Sequence, residues 1–298
     1  MKVTNVHNVP EPLVTLAKAQ YYSKGKAQYS VTELMSPPRV RRLQEIHDAQ
    51  REEDVSNMLW SLLGSALHVV MERGVTPGYI TEERLFTEVD SVTISGGIDL
   101  QEETPYGIII TDYKFTSAWA VMNEKVEWEQ QLNIYKFLVE RVKGKKVVGL
   151  RICALIRDFS RHDTREGYPA SPIHMVDIPL WEDGRALQYL RDRIEAHSDS
   201  KVAKDFAEEL PMCTPEERWM SETIYAVKRD GRKTAIRVFK DSTEAQQCAD
   251  EETRKGKGKA YIEVRPAEPK RCTGDYCGVS RWCTQYQEEQ SNAKATDI

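Results

Sequence analysis

The 298-residue chain contains no run of about 18 apolar residues, which excludes a membrane-spanning helix. Its opening, Met1-Lys2-Val3-Thr4-Asn5, lacks the apolar core of a signal peptide, so a cytoplasmic protein is expected. Cysteine is scarce: six residues are too few for a secreted disulfide scaffold. Positive charge is not in excess either, with 42 Lys and Arg against 47 Asp and Glu. The net charge of −5 excludes a protein that coats nucleic acid by bulk charge, while leaving room for a local basic groove. No internal repeat is present.

What is present can build a sizeable core, since 40% of the residues are hydrophobic. Residues 1–28 are polar and lack a sustained period, and are expected to form an N-terminal extension. A short helix or turn is predicted over 29–34, followed by the basic cluster Arg39, Arg41 and Arg42. The spacing predicts a helix over 56–73, stopped by Gly74, with the apolar stripe Leu59, Leu62, Leu63, Ala66, Leu67 and Val70. Strands are predicted over 84–90, 92–94, 98–101 and 108–114, the last two joined by a turn over 103–107. A helix over 124–142, a strand over 147–157, a helix over 183–209, a hairpin about Asp230-Gly231 and a helix over 242–252 complete the reading. The class is α/β or α+β. The expected parts are a core over 29–205, a smaller lobe over 206–287 and a disordered tail over 288–298.

The segment Ile108-Ile109-Ile110-Thr111-Asp112-Tyr113-Lys114 is the most informative. Three isoleucines mark a buried strand, yet it ends with Asp112 and Lys114 on one face, about 6.5–7 Å apart. If the preceding turn is centred between Pro105 and Tyr106, Asp99 falls opposite Asp112. Carboxylates facing each other at about 5 Å destabilise a sheet. A divalent cation between them removes that penalty, and hard oxygen ligands suit magnesium or manganese. A solvated hairpin carrying ordinary surface charges would show the same letters.

His68 lies nearly opposite the centre of the apolar stripe on its helix, leaning over Gly64 and Ser65 where there is space for a ligand. Gln131 and Tyr135, at i and i+4, share a helix face. An amide and a phenol so placed can hydrogen-bond a phosphate or order a metal-bound water, although such pairs are also common in structural roles.

Taken in order, Gly64-x3-His68, Gly97-Ile98-Asp99, Asp112-Tyr113-Lys114 and Gln131-x3-Tyr135 resemble the PD-(D/E)XK nuclease superfamily. The closest likeness is to its RecB-type branch, with CRISPR-associated RecB-like and phage exonucleases. The resemblance implies a restriction-endonuclease-like core, a mixed central sheet flanked by helices, and a metal-dependent DNA nuclease. That enzyme would be an exonuclease on DNA ends or single strands, serving recombination, repair or phage DNA processing beside recombination or replication proteins. If a phage encodes it, the compartment is the host cytoplasm. The resemblance further implies that His68, Asp99, Asp112 and the main-chain carbonyl of Tyr113 bind Mg2+ or Mn2+. Lys114 would assist the attacking water, and Gln131 and Tyr135 would support the substrate side. An endonuclease and a non-catalytic nucleic-acid-binding subunit are the alternatives.

Cys272, Cys277 and Cys283 supply three thiolates within 12 residues, and a metal site wants a fourth. Cys153 lies within an alternating strand and Cys248 on a polar helix, whereas Cys213 lies in a loop between Pro211 and Pro215 that can present a ligand freely. Cys213 is therefore the expected fourth member. One upstream cysteine followed by three near the C-terminus resembles the iron–sulfur staple of RecB-like nucleases, which implies a 4Fe-4S cluster. The four-residue gap between the first two of the trio, and a first ligand lying after the core, depart from that pattern and leave Zn2+ open. Arg39, Arg41, Arg42, Lys255, Lys257 and Lys259 are the expected contacts to the DNA backbone.

Overall fold

Three consecutive isoleucines can be stable only inside a sheet covered on its faces, and Ile108 and Ile110 lie at 1% and 0% exposure. The computed structural model describes residues 1–19, 23–74, 76–123, 125–203, 210–256, 258–274 and 276–296. The chain divides into two units, Met1–Asp205 and Phe206–Ile298.

The first unit runs β1 (Lys2–Thr4), α1 (Glu11–Lys18), β2 (Tyr29–Ser30), α2 (Val31–Met35), α3 (Pro38–Ile46), β3 (Glu52–Asp54) and α4 (Leu59–Met71). It continues through β4 (Tyr79–Val89), β5 (Val92–Thr104), β6 (Gly107–Thr116), α5 (Ala118–Met122) and α6 (Val126–Lys143), and ends with β7 (Val147–Ile156), β8 (Ile173–Ile178) and α7 (Arg185–Val202). Five strands form a mixed sheet in the order β2-β5-β6-β7-β8, and β4 also pairs with β5. Strands β4, β5 and β6 make an antiparallel meander; β6 and β7 run parallel, so α5 and α6 cross between them.

Turn chemistry sets the register. Asp90 and Ser91, with φ of 47° and 67°, close the β4–β5 hairpin with the left-handed pair that matches strand twist. Arg191 holds the Asp90 carboxylate at 2.8 and 3.1 Å. The next hairpin turns at Pro105 and Tyr106, between the paired Thr104 and Gly107.

Leu132, Ile134, Leu138 and Val139 of α6 pack with Ile94, Ile98, Ile108, Ile110 and Ile152 of the sheet in one core. Each such side chain, fully buried, stabilises by about 1.5–3 kcal/mol. The helix stops at Gly144, whose φ of 64° makes a left-handed cap. Close approach of α6 to β5 depends on Gly96, where an added Cβ would lie 2.6 Å from Leu138 Cδ1 and 2.9 Å from Tyr135 Cε1.

The second unit holds β9 (Ile224–Arg229), β10 (Arg237–Phe239), α8 (Ser242–Arg254), β11 (Ala260–Arg265), α9 (Lys270–Thr273) and α10 (Thr284–Thr296). Its three strands pair antiparallel in the order β10-β9-β11, and Val227, Ala245, Ala249 and Ala260 form a small core under α8.

Three expectations need correction. The stripe on α4 is not a core: Leu59, Leu63 and Val70 are 40%, 40% and 60% exposed, and no residue of this helix is fully buried. The tail expected to be disordered over 288–298 is helical as far as Thr296. The helix expected over 183–209 is α7, which ends at Val202; residues 204–209 lie outside the described residues. Residues 1–28 belong to the first unit, where β1 pairs in parallel with β3.

Gly96→Ala is expected to lower stability by about 1–3 kcal/mol, the cost of forcing a methyl into a packed core. Urea unfolding checks this, and a midpoint equal to wild type would show that α6 is free to withdraw from β5.

Candidate active site

The predicted register between β5 and β6 holds through Leu100 and Thr111. At the next pair, Asp99 and Asp112, the ladder stops. The Asp99 side chain replaces it, Oδ2 accepting the Tyr113 N–H at 2.8 Å. Towards its start, β5 instead pairs at Ile94 and Ser95 with β2. The strands therefore fork at the two acids, which lie at 6% and 2% exposure.

On one side of the fork Lys114 Nζ lies 2.6 Å from Asp112 Oδ2 and donates to Gln131 Oε1 at 2.9 Å. Gln131 Nε2 in turn donates to the Tyr135 hydroxyl at 2.8 Å. The structure thus joins Asp112, Lys114, Gln131 and Tyr135 in one continuous path. On the other side His68 Nδ1 lies 3.6 Å from Asp99 Oδ1 and 3.0 Å from Glu82 Oε1. His68, Glu82 and Asp99 each offer a ligand atom, all within 4.8 Å of one another.

Glu82 is the residue that sequence reasoning missed. It lies in β4 with φ of 49°, a left-handed conformation rare for a bulky residue within a strand. The β4–β5 ladder pairs Thr81 with Leu100 and Glu83 with Ile98, and omits only the intervening position, Glu82 and Asp99. The pleat slips there. Leu85 pairs with Gly96 on the α6 face, Glu83 shares that face by alternation, and Gln101 Nε2 donates to Glu83 Oε2 at 2.7 Å. Gly96 and Gln101, five residues apart, therefore share a face, which requires one lost alternation between them. The signal was available: symmetry about the Asp90-Ser91 turn places residue 82 opposite residue 99.

Burial, reinforced by the nearby charge of Asp112, pushes the Asp99 carboxyl up to about 7, against the opposing pull of His68 and the Tyr113 N–H. The hydrogen bond to Glu82 is the main cause raising His68 above its ordinary value.

The basic groups are less available than expected. Arg39 is 1% exposed, because it faces inward from α3 beside the buried Val40 and Leu43, and this corrects its place among surface contacts. Arg41 pairs with Glu33 at 2.8 Å, Arg42 with Glu45 at 3.4 Å and Lys255 with Glu252 at 2.5 Å. Lys257 lies outside the described residues.

In the second unit Gln285 clamps the main chain of Cys213, accepting its N–H at 2.9 Å and donating to its carbonyl at 3.0 Å. That brings Cys213 to the chain two residues beyond Cys283. Burial raises the Cys277 thiol, and Cys272 and Cys283 lie close enough to add to the effect. Cys153 and Cys248 are half-buried thiols, one on β7 and one on α8.

A raised carboxyl makes the metal-free fold progressively less stable as pH climbs from about 4 towards 7, because Asp99 must ionise while buried. Asp99→Asn is accordingly expected to raise the metal-free melting temperature at pH 8 and to raise it less at pH 5. Scanning calorimetry in EDTA checks this; an equal shift at both pH values would contradict the burial argument.

A model of the PD-(D/E)XK nuclease superfamily matches residues 15–284. No curated protein sequence matches the chain. Among solved structures, SSO0001 superposes with a TM-score of 0.44 at 18% identity, covering 62% of this chain and 84% of its own. A provisionally named exonuclease from Eubacterium rectale gives 0.27 at 12% identity, over 47% of this chain and 52% of its own. Both likenesses are too distant to carry function. The family match spans every element that builds the fork, and the mixed sheet flanked by helices is the restriction-endonuclease-like fold. The chain belongs to the PD-(D/E)XK nuclease superfamily.

Proposed function

We propose that the protein is a Mg2+- or Mn2+-dependent deoxyribonuclease of the RecB-type branch, an exonuclease on DNA ends or single strands in recombination, repair or phage DNA processing. The observation that carries this reading is the unbroken path Asp112–Lys114–Gln131–Tyr135 beside His68, Glu82 and Asp99 at one fork. The donor set fits a hard divalent cation: three carboxylates and an imidazole, with two of the carboxylates buried and mutually repelling. His68, Asp99, Asp112 and the Tyr113 carbonyl would hold it, with Glu82 as a further oxygen donor.

A cation held there supplies Lewis acidity at the phosphate and acidifies water. The rest falls to the protein. Lys114, fixed between Asp112 and Gln131, orients the attacking water and offsets charge developing on the phosphate. Gln131 holds Lys114 and is itself fixed by the Tyr135 hydroxyl, whose ring is buried in the core under α6. Arg41, Arg42, Lys255 and Lys259 would follow the phosphate backbone, three of them after releasing their carboxylate partners.

Cys213, Cys272, Cys277 and Cys283 are assigned to one structural 4Fe-4S cluster, with Zn2+ as the alternative. The Gln285 clamp and the proximity of Cys272 and Cys283 to Cys277 support the four-membered set.

Lys114→Ala is expected to slow Mn2+-dependent cleavage of end-labelled DNA by at least about 100-fold, with the Mn2+-induced rise in melting temperature largely kept. Wild-type cleavage in EDTA, or a Lys114→Ala rate equal to wild type, would refute the assignment.

Anaerobically purified protein is expected to be brown, with charge-transfer absorbance near roughly 400 nm. Alanine at any of the four cysteines should bleach it, whereas Cys153→Ala and Cys248→Ala should keep it. Colourless protein with one equivalent of zinc would replace iron by zinc, and full colour in Cys213→Ala would remove Cys213 from the set.

A further inference from the structure

Tryptophan is a costly residue to leave in water, because its large ring gains most from burial. Trp60 on α4 and Trp119 on α5 are nevertheless 51% and 59% exposed. Each carries a cation over its ring: Arg157 Cζ lies 4.6 Å from the Trp60 centroid, and Lys125 Nζ lies 5.1 Å from that of Trp119. Both tryptophans are tied to the end of β6, the strand that carries Asp112 and Lys114. Phe115, the residue after Lys114, has its ring 6.2 Å from that of Trp60. The Arg157 main-chain N–H donates to the Thr116 carbonyl at 2.9 Å, so the residue that carries this cation sits beside the end of the same strand. Trp119 follows Lys114 by five residues, at the start of the next helix.

We propose that Trp60 and Trp119 form a base-stacking platform for single-stranded DNA at the end of β6, leading the strand towards the fork; this rests on the nuclease reading above. Exposed indoles offer faces on which unpaired bases stack, and the adjacent Arg157 and Lys125 can meet the phosphates. Base stacking of this kind tolerates any sequence, since every base has a π face. It discriminates instead by strandedness, because bases within a duplex are already stacked on each other. The spacing suits the purpose. Trp60 and His68 lie eight residues apart on α4, about 12 Å along its axis, or roughly three to four stacked nucleotides at 3.4 Å each. Bases held at Trp60 would therefore place a phosphate a few nucleotides away beside His68.

The test is binding in EDTA, which prevents cleavage, using a fluorescein-labelled oligothymidylate and a duplex closed by hairpins at both ends. Trp60→Ala and Trp119→Ala should each weaken single-strand binding by at least about fivefold, the effect of one lost stack. Duplex binding should change by less than about twofold, and Trp60→Phe should retain most of the single-strand affinity. Loss of equal size on both nucleic acids would show a general effect on folding or charge and overturn the platform. Unchanged single-strand affinity in both alanine variants would overturn it as well. Metal-dependent cleavage by the same variants reports separately on the nuclease reading: cleavage with unchanged single-strand affinity removes the platform alone, and absence of cleavage in wild type removes both.

Discussion

Two buried carboxylates at the point where a sheet forks are the constraint around which the first unit is arranged. Asp99 and Asp112 are brought together by a hairpin whose register is fixed five pairs away, at Thr104 and Gly107. Ionised carboxylates at such depth repel one another and lose hydration, a combination that proteins tolerate only with compensation. The compensation here is local and partial: Lys114 lies against Asp112, and the Tyr113 N–H and the His68 ring lie against Asp99, whose carboxyl burial still holds up at about 7. Because the Asp99 side chain takes the Tyr113 N–H, the strands can separate without leaving that donor unpaired. The separation frees β5 to pair with β2 at Ile94 and Ser95. One like-charge pair thus accounts for the site and for the break in sheet order beside it.

The lysine path extends that logic into α6. Asp112 holds Lys114, Lys114 donates to Gln131, Gln131 donates to Tyr135, and Tyr135 packs against the bare backbone of Gly96. Gly96 lies on β5, three residues before Asp99. The circuit therefore leaves one acid-bearing strand, crosses a helix and returns to the other. A long flexible ammonium is ordinarily a poor orienting group, since holding it still costs side-chain entropy. A buried carboxylate 2.6 Å away and a fixed amide acceptor, on a helix packed closely over Gly96, reduce that freedom before any substrate arrives. This is the sense in which the core, and not only the site, prepares Lys114 for its task.

Most of this frame is legible in the sequence, because it depends on short-range rules. The turn at Pro105 and Tyr106 fixes the register of Asp99, and i, i+4 spacing fixes Gln131 against Tyr135. What escaped depends on contacts that no local pattern encodes. Arg39 follows two prolines in a basic cluster and reads as surface, yet α3 turns it inward. The α4 stripe has core periodicity but stands half in solvent, and Trp60, at the start of that helix, reads as one more apolar letter until its exposure is seen. The terminal helix α10 is largely polar, so composition alone suggested disorder.

Glu82 shows why strain and site coincide here. A glycine could hold its left-handed backbone freely, whereas an L-residue with a side chain in that conformation costs roughly 1–2 kcal/mol. The gain is positional. With regular pleating, the residue opposite Asp99 would present its side chain squarely to one face of the sheet. The slipped pleat lets Glu82 turn instead towards His68, 3.0 Å away, so that an imidazole on a helix is joined to carboxylates on two adjacent strands. Three elements with no shared local pattern thereby converge on one small volume. The irregularity in β4 is best understood as the means of that convergence, because the ladder resumes in the same register on both sides of it.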